Sequence, residues 1–344
     1  MGSGDLTSRE REVLYGLVRW PGLNDVELSD RLGVVRTTVT VVRQRLEKNG
    51  LVHHVLVPDF GRVGCELFTA LYGEFGGAAS HDLAAFRKVV RDGVSNAFYM
   101  VRCGGQHLSF GAAENLTKVR ESIGAHHKVH HDSGYLTDKR HNYVFFPLSL
   151  TNIPRFFDYA PLLANHLGLE HTAEKAKARE GDEWKPTSRE LKVFAALVGH
   201  PSASDEVVAD AAGVSRQTVN GLRNKFLDGR LLRPVNIPDV GKLGFGLLAF
   251  THLHISPHHG IQDRLKHTDS VLEDPAHVLK VSGDLESVML SVYPDYSSFK
   301  KSHDSLMEVY KKNCLLSDEP VVKLFPLGET DQLIHHDYAN LVNI

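Results

Sequence analysis

The chain has 344 residues, 42% hydrophobic and 24% charged, with 39 Lys and Arg against 42 Asp and Glu for a formal net charge of −3. That length exceeds one ordinary domain, the mixed composition is that of a globular protein, and a balance this close to neutrality gives no global pull toward nucleic acid, so any DNA contact must come from local basic surface. No apolar run approaches the roughly 20 residues that span a bilayer, and the N-terminal MGSGDLTSRERE lacks a signal peptide's apolar core, so a cytoplasmic protein with no membrane partner is expected. Cys65, Cys103 and Cys314 are too few and too scattered for a disulfide framework or a CxxC metal clip, and are expected as core thiols.

In chain order, Thr7 or Ser8 can cap a helix whose Val13, Leu14, Leu17 and Val18 follow a helical spacing until Pro21-Gly22 ends it. A second helix over 24–32 stops at Gly33, where a residue without a Cβ can turn left-handed, and a third begins near Arg36 and runs to 48. Helix, short glycine turn, helix is the helix-turn-helix order, in which the last helix lies in the major groove of DNA. The segment LVHHVLVP at 51–58 then reads as a wing. Beyond it come a strand over 66–75, a helix over 81–92, two strands over 96–103 and 106–113 around Gly104-Gly105, a helix near 114–125 and a strand near 141–148, a βαββαβ order of ferredoxin-like type.

The chain is then written a second time. TSREREVLYGLV at 7–18 returns as TSRELKVFAALV at 187–198, the offset of 180 holds without a gap to Gly64 and Gly244, and Asp158-Tyr159-Ala160 returns at an offset of 179 as Asp337-Tyr338-Ala339. The expectation is therefore an α+β protein built by internal duplication: winged helix-turn-helix units at 1–60 and 186–240, ferredoxin-like sensor and dimerisation domains at 61–165 and 241–344, and a polar linker at 166–185.

In both third helices one face is apolar, with Val39, Val42 and Leu46 in the first copy and Val219, Leu222 and Phe226 in the second. The other face carries Arg36, Thr37, Thr40, Arg43 and Gln44 against Arg216, Gln217, Asn220, Arg223 and Asn224, with Thr38, Ser215 and Thr218 alongside. Arginine can neutralise phosphate or grip guanine, and Gln and Asn amides match the adenine edge, so these residues are the expected readers of double-stranded DNA. Because the two faces differ, two unlike half-sites within one pseudo-dimeric chain are expected. A hairpin that only packs is the plainer alternative.

The run RLEKNGLVHHVLVPDFGRVGCELFTALYGEF at 45–75, followed by a βαββαβ unit, resembles the Lrp/AsnC family of feast/famine transcription regulators. The resemblance implies sensor domains that associate into homo-oligomers and bind a small effector near the turn between the second and third strands, by position Gly104 and Gly105 in one copy and Gly283 and Asp284 in the other. It also implies a regulator and not an enzyme. The chain departs from that family in being a tandem fusion.

Of the 21 histidines, His126, His127, His130 and His131 form a cluster in which i,i+4 spacing on a helix can set two imidazoles on one metal ion. Solvated or structural histidines, a metal or haem-type sensor, and a pH sensor all remain open there. No cofactor is assigned. The alternative of another class is a tetrapyrrole-binding enzyme of the sirohaem decarboxylase type, which shares the architecture. Against it, the second and third strands read YMVRCGGQHLSFGA and VLKVSGDLESVMLSV, without that family's His-Asn-Tyr and Tyr-Asn-Leu-Trp stretches.

Overall fold

A computed structural model describes residues 6–76, 83–93, 96–135, 141–172, 184–260, 264, 266, 268 and 273–342. The first copy runs α1 (Ser8–Arg19), α2 (Asp25–Leu32), α3 (Arg36–Lys48), β1 (Val52–Pro58), β2 (Leu67–Glu74), α4 (Leu83–Gly93), β3 (Ala97–Cys103), β4 (Gln106–Ala113), α5 (Leu116–Asp132), β5 (Asn142–Pro147), β6 (Asn152–Arg155) and α6 (Ala160–Leu167). The second runs α7 (Ser188–Gly199), α8 (Asp205–Ala212), α9 (Arg216–Asp228), β7 (Leu232–Pro238), β8 (Leu247–His254), β9 (His277–Ser282), β10 (Glu286–Tyr293), α10 (Tyr296–Lys312), β11 (Val321–Pro326) and β12 (Thr330–Ile334). The helix expected over 260–270 falls mostly outside the described residues, although Arg264, Lys266 and Thr268 are helical. Most of the linker, 173–183, also lies outside them.

Local chemistry explains the three-helix heads. The Thr7 side chain accepts from Glu10 N while the Glu10 carboxylate accepts from Thr7 N at 2.8 Å, and Thr187 with Glu190 repeats this reciprocal cap. Gly33 and Gly213 end the second helices at φ 62° and 65°, a left-handed turn that a Cβ would strain. Ser215 caps α9 through Thr218 N at 3.2 Å, whereas Val35 leaves α3 without a side-chain cap.

Each βαββ core gains strands on both edges. One sheet has the order β12-β3-β4-β2-β5 and the other β11-β8-β10-β9-β6, so the edge strand beside β3 comes from the tail of the second copy and the one beside β9 from the tail of the first. The exchange closes with equivalent bonds, Asp158 N to Val278 O and Asp337 N to Phe98 O, both at 2.9 Å. The chain accordingly divides into two compact units: residues 1–54, 150–178 and 235–328 make the first, and 55–149, 179–234 and 329–344 the second. Each unit joins the helical head and tail of one copy to the sheet of the other, a composition that sequence order does not announce. The chain passes between units within β1 and β7, which pair as a two-stranded sheet. Of the three thiols only Cys65 is buried, its pKa raised to about 12 chiefly by that burial; Cys103 is half-buried and Cys314 exposed, which corrects the expectation of three core thiols.

Candidate functional site

The second unit contains a convergence of imidazoles. Helix α5 starts at Asn115, whose side chain accepts from Lys118 N at 3.0 Å, and carries His126 and His130 one turn apart. Residues four apart share a helix face, and this face points inward: His126 is 4% exposed and His130 not at all. Their ring centroids lie 4.0 Å apart. Strand β4 contributes the fully buried His107, and His141, just before β5, lies 4.8 Å from it ring to ring. His127 is 5.4 Å from His141 and shares a hydrogen bond with the Tyr143 hydroxyl. Phe75 sits among them, stacked on His107 at 4.1 Å and on His130 at 5.0 Å. Gly73 makes the room, since a Cβ there would lie 3.1 Å from both the His107 and His141 rings.

Neither ring nitrogen of His126 or His130 has a hydrogen-bond partner among the described residues. Burial, then the neighbouring His130, His141 and His127, push the His126 pKa down to about 2. Burial, then His141 and His127, push that of His130 down to about 4, and His141 is lowered mainly by burial as well. His126 and His130 are therefore uncharged at neutral pH, with lone pairs available to a metal ion or a proton. Tyr143 is held protonated, its pKa raised to about 12 by burial. A cavity of about 60 Å³ opens beside His126, lined by Ser109, Ser122, Tyr143, Val119 and Phe145.

The second copy serves as an internal control. At the 180-residue offset, Gly73, Phe75, Ser109, His126, His127, His130 and Tyr135 correspond to Leu253, Ile255, Met289, Leu306, Met307, Tyr310 and Leu315, which together form one apolar core cluster. One fold position thus holds a packed core in one copy and an imidazole cluster in the other. Leaving a buried polar group unpaired costs about 1–3 kcal/mol, so the first copy gives up stability at a place where the fold itself needs only apolar volume.

The expected metal set is only partly gathered. His126, His127 and His130 belong to the cluster, whereas the His131 side chain is 80% exposed beside Asp132. His107 in β4 and His141 just ahead of β5, which sequence reasoning passed over, join the cluster, and no local spacing links them to α5.

The expected DNA readers divide in two. Arg43 Nε donates to Asp25 at 2.7 Å and its Nη2 to Leu23 O at 3.2 Å, and Thr40 donates to the same carboxylate at 2.6 Å. The second copy repeats the arrangement, with Arg223 on Asp205 at 2.9 Å and Asn220 on Asp205 at 3.3 Å. These side chains clamp the third helix to the second. Arg45 is likewise paired with Glu10, and Lys225 with Glu190 at 2.6 Å, which thins the local basic charge. Arg36, Thr37, Gln44, Arg216, Gln217 and Asn224 are exposed, Thr38 is half-buried, and Ser215 and Thr218 bond each other at 2.9 Å.

The turns expected to bind an effector carry hydrogen bonds of the fold's own. Gly104 takes φ 55°, Gly105 O accepts from Phe75 N at 2.6 Å, and Gly283 O accepts from Arg264 at 2.5 Å. Neither these residues nor Asp284 line the cavity beside His126 or the larger cleft of about 500 Å³ in the first unit, whose Ser302, Asp274 and Tyr293 hydrogen-bond one another.

No protein-family model matches the sequence, and no curated protein matches it. Among solved structures, the siroheme decarboxylase NirDL is similar over 96% of both chains, at 10% identity and a TM-score of 0.51. What is shared is the fold. The same enzyme in complex with an iron-uroporphyrin III analogue matches over 92% of this chain and 90% of that one, at 9% identity and a TM-score of 0.48. An AsnC family transcriptional regulator from Agrobacterium tumefaciens matches over 40% of this chain and 88% of its own, at 17% identity and a TM-score of 0.33. The duplicated α+β architecture expected from sequence is the one found. The expectation that the chain is not an enzyme is corrected: a solved structure similar over 96% of both chains is that of an enzyme. No helix among the described residues is long and apolar enough to cross a membrane.

Proposed function

We propose that this chain is a tetrapyrrole-handling enzyme of the siroheme decarboxylase type, with the imidazole cluster of the first-copy sheet as its reactive site. The observation that carries this reading is that His126 and His130 stand where the second copy has Leu306 and Tyr310, at positions that there belong to an apolar core. The full-length likeness to NirDL agrees with it at the level of fold.

The chemistry follows from the surroundings. Siroheme is an iron tetrapyrrole bearing carboxymethyl arms. The cavity of about 60 Å³ has room for about four waters, which matches the heavy atoms of one such arm and not the macrocycle. A carboxylate set against Val119 and Phe145 loses hydration, which favours release of CO2. The C–C bond breaks, its electron pair stays on the ring-side carbon, and that carbon takes a proton to become a methyl group. A neutral imidazole cannot supply that proton. An incoming carboxylate raises the pKa of His126 but, from a starting point of about 2, leaves the ring neutral at pH 7, so the proton comes from water that enters the cavity, and His126 orients the arm beside it.

Titrating the full chain with siroheme should give a shifted visible spectrum and a product in which carboxymethyl arms have become methyl groups. His126→Leu with His130→Tyr, which writes the second copy's residues into the first, should abolish product. Unaltered siroheme with the native chain would refute the reading. The exposed Arg36, Gln44, Arg216 and Asn224 keep DNA contact as a second reading, for which a salt-dependent, sequence-selective complex is the required result.

A further inference from the structure

The first unit holds a second donor set, on residues that the proposed reaction does not use. Strand residues two apart point to the same face, so His252 and His254 on β8 lie side by side, with ring centroids 4.3 Å apart. Glu286 opens β10 directly opposite His254 in the antiparallel register. All three therefore sit on one face of the sheet, opposite to the face on which Leu253 joins the core under α10.

We propose that His252, His254 and Glu286 bind a first-row divalent transition metal ion of the zinc type. Two imidazoles and a carboxylate are borderline-hard donors of the kind zinc accepts, and three protein ligands leave a fourth position for water. The geometry is close to what an ion needs. One ligand atom from each residue lies within 4.8 Å of the others, and His252 Nε2 stands 3.5 Å from Glu286 Oε1. Metal–ligand bonds of about 2.1 Å in a tetrahedron separate ligands by about 3.4 Å, so one edge is already formed and the other two close with small side-chain rotations. His252 is buried while His254 and Glu286 are half-exposed, which fixes one ligand and leaves an approach for the ion. At the 180-residue offset the first copy has Tyr72, Glu74 and Gln106, a set with no imidazole, so this site belongs to the second copy alone. A bound ion would tie β8 to β10 beside the Gly283-Asp284 turn.

The test is a zinc titration of the full chain at neutral pH, followed by calorimetry and by competition with a chromophoric chelator, with cobalt as a spectroscopic substitute. The native chain should take up one more tight equivalent than His254→Ala or Glu286→Gln, and that equivalent should persist in the His126→Leu/His130→Tyr chain, which separates it from the first-copy cluster. Both substituted positions are half-exposed, and the nearly isosteric Glu286→Gln serves if His254→Ala does not fold. Equal zinc stoichiometry and affinity in the native chain and both variants, or no zinc bound by the native chain, would overturn the proposal. Either outcome leaves the siroheme assay to be judged by itself.

Discussion

At the scale of the residue, His126 and His130 are the positions where folding and chemistry pull apart. A leucine or tyrosine at either would pack without an unpaired nitrogen, as Leu306 and Tyr310 do in the second copy. Their pKa values, lowered to about 2 and about 4, carry a stability signature. In the unfolded chain both rings protonate near pH 6.5, whereas in the folded chain they stay neutral, so the unfolded state binds more protons below that value and stability must fall as pH drops. From neutral pH to about pH 5 each ring should cost about 2 kcal/mol of folding free energy. Urea unfolding of the native chain and the His126→Leu/His130→Tyr chain at both pH values should show a steeper acid loss in the native one; equal losses would mean that these rings are solvated. The i,i+4 spacing of this pair was legible in the sequence. His107, His141 and the space given by Gly73 were not, because the pairing of β2 with both β4 and β5 brings them together.

At the scale of the element, the third helices show how a surface pattern can be read too generously. Arg43 and Arg223 lie on the polar face, but each is only about a fifth exposed, at 22% and 20%, and each is paired with an aspartate at the start of the preceding helix. Charge-assisted pairs of this partly buried kind are worth roughly 1–3 kcal/mol, and removal of one partner leaves the other unmatched. Arg43→Ala and Asp25→Ala should each lower the urea midpoint, and the double variant should lose less than their sum. Unchanged midpoints would return Arg43 to the surface and to DNA. The cap at Thr7 and the left-handed Gly33 were readable because they depend on neighbours within four residues. The pairing of Asp25 with Arg43 spans a turn of the chain and follows only from how α2 meets α3.

At the scale of the whole molecule, duplication supplies both the architecture and the means of interpreting it. The repeat was visible as a fixed offset, and the order of elements followed from it. The exchange of tails was not, since β6 and β12 are short and their partners, β9 and β3, lie in the opposite copy. Because each compact unit joins the head and tail of one copy to the sheet of the other, residues 1–168 alone contain no complete unit. That half-chain should associate, two molecules lending each other heads and tails, and run as a dimer in light scattering; a stable folded monomer would contradict the exchange. The two copies differ in one core. The second copy has an apolar cluster where the first has His126, His127 and His130 among the corresponding positions. The most direct measurement is mass spectrometry of siroheme after anaerobic incubation with the native full-length chain and with its His126→Leu/His130→Tyr variant. Loss of carboxyl groups with the native chain and none with the variant is the predicted result, whereas intact siroheme with the native chain, or equal conversion by both, would contradict the assignment of the imidazole cluster as the reactive site.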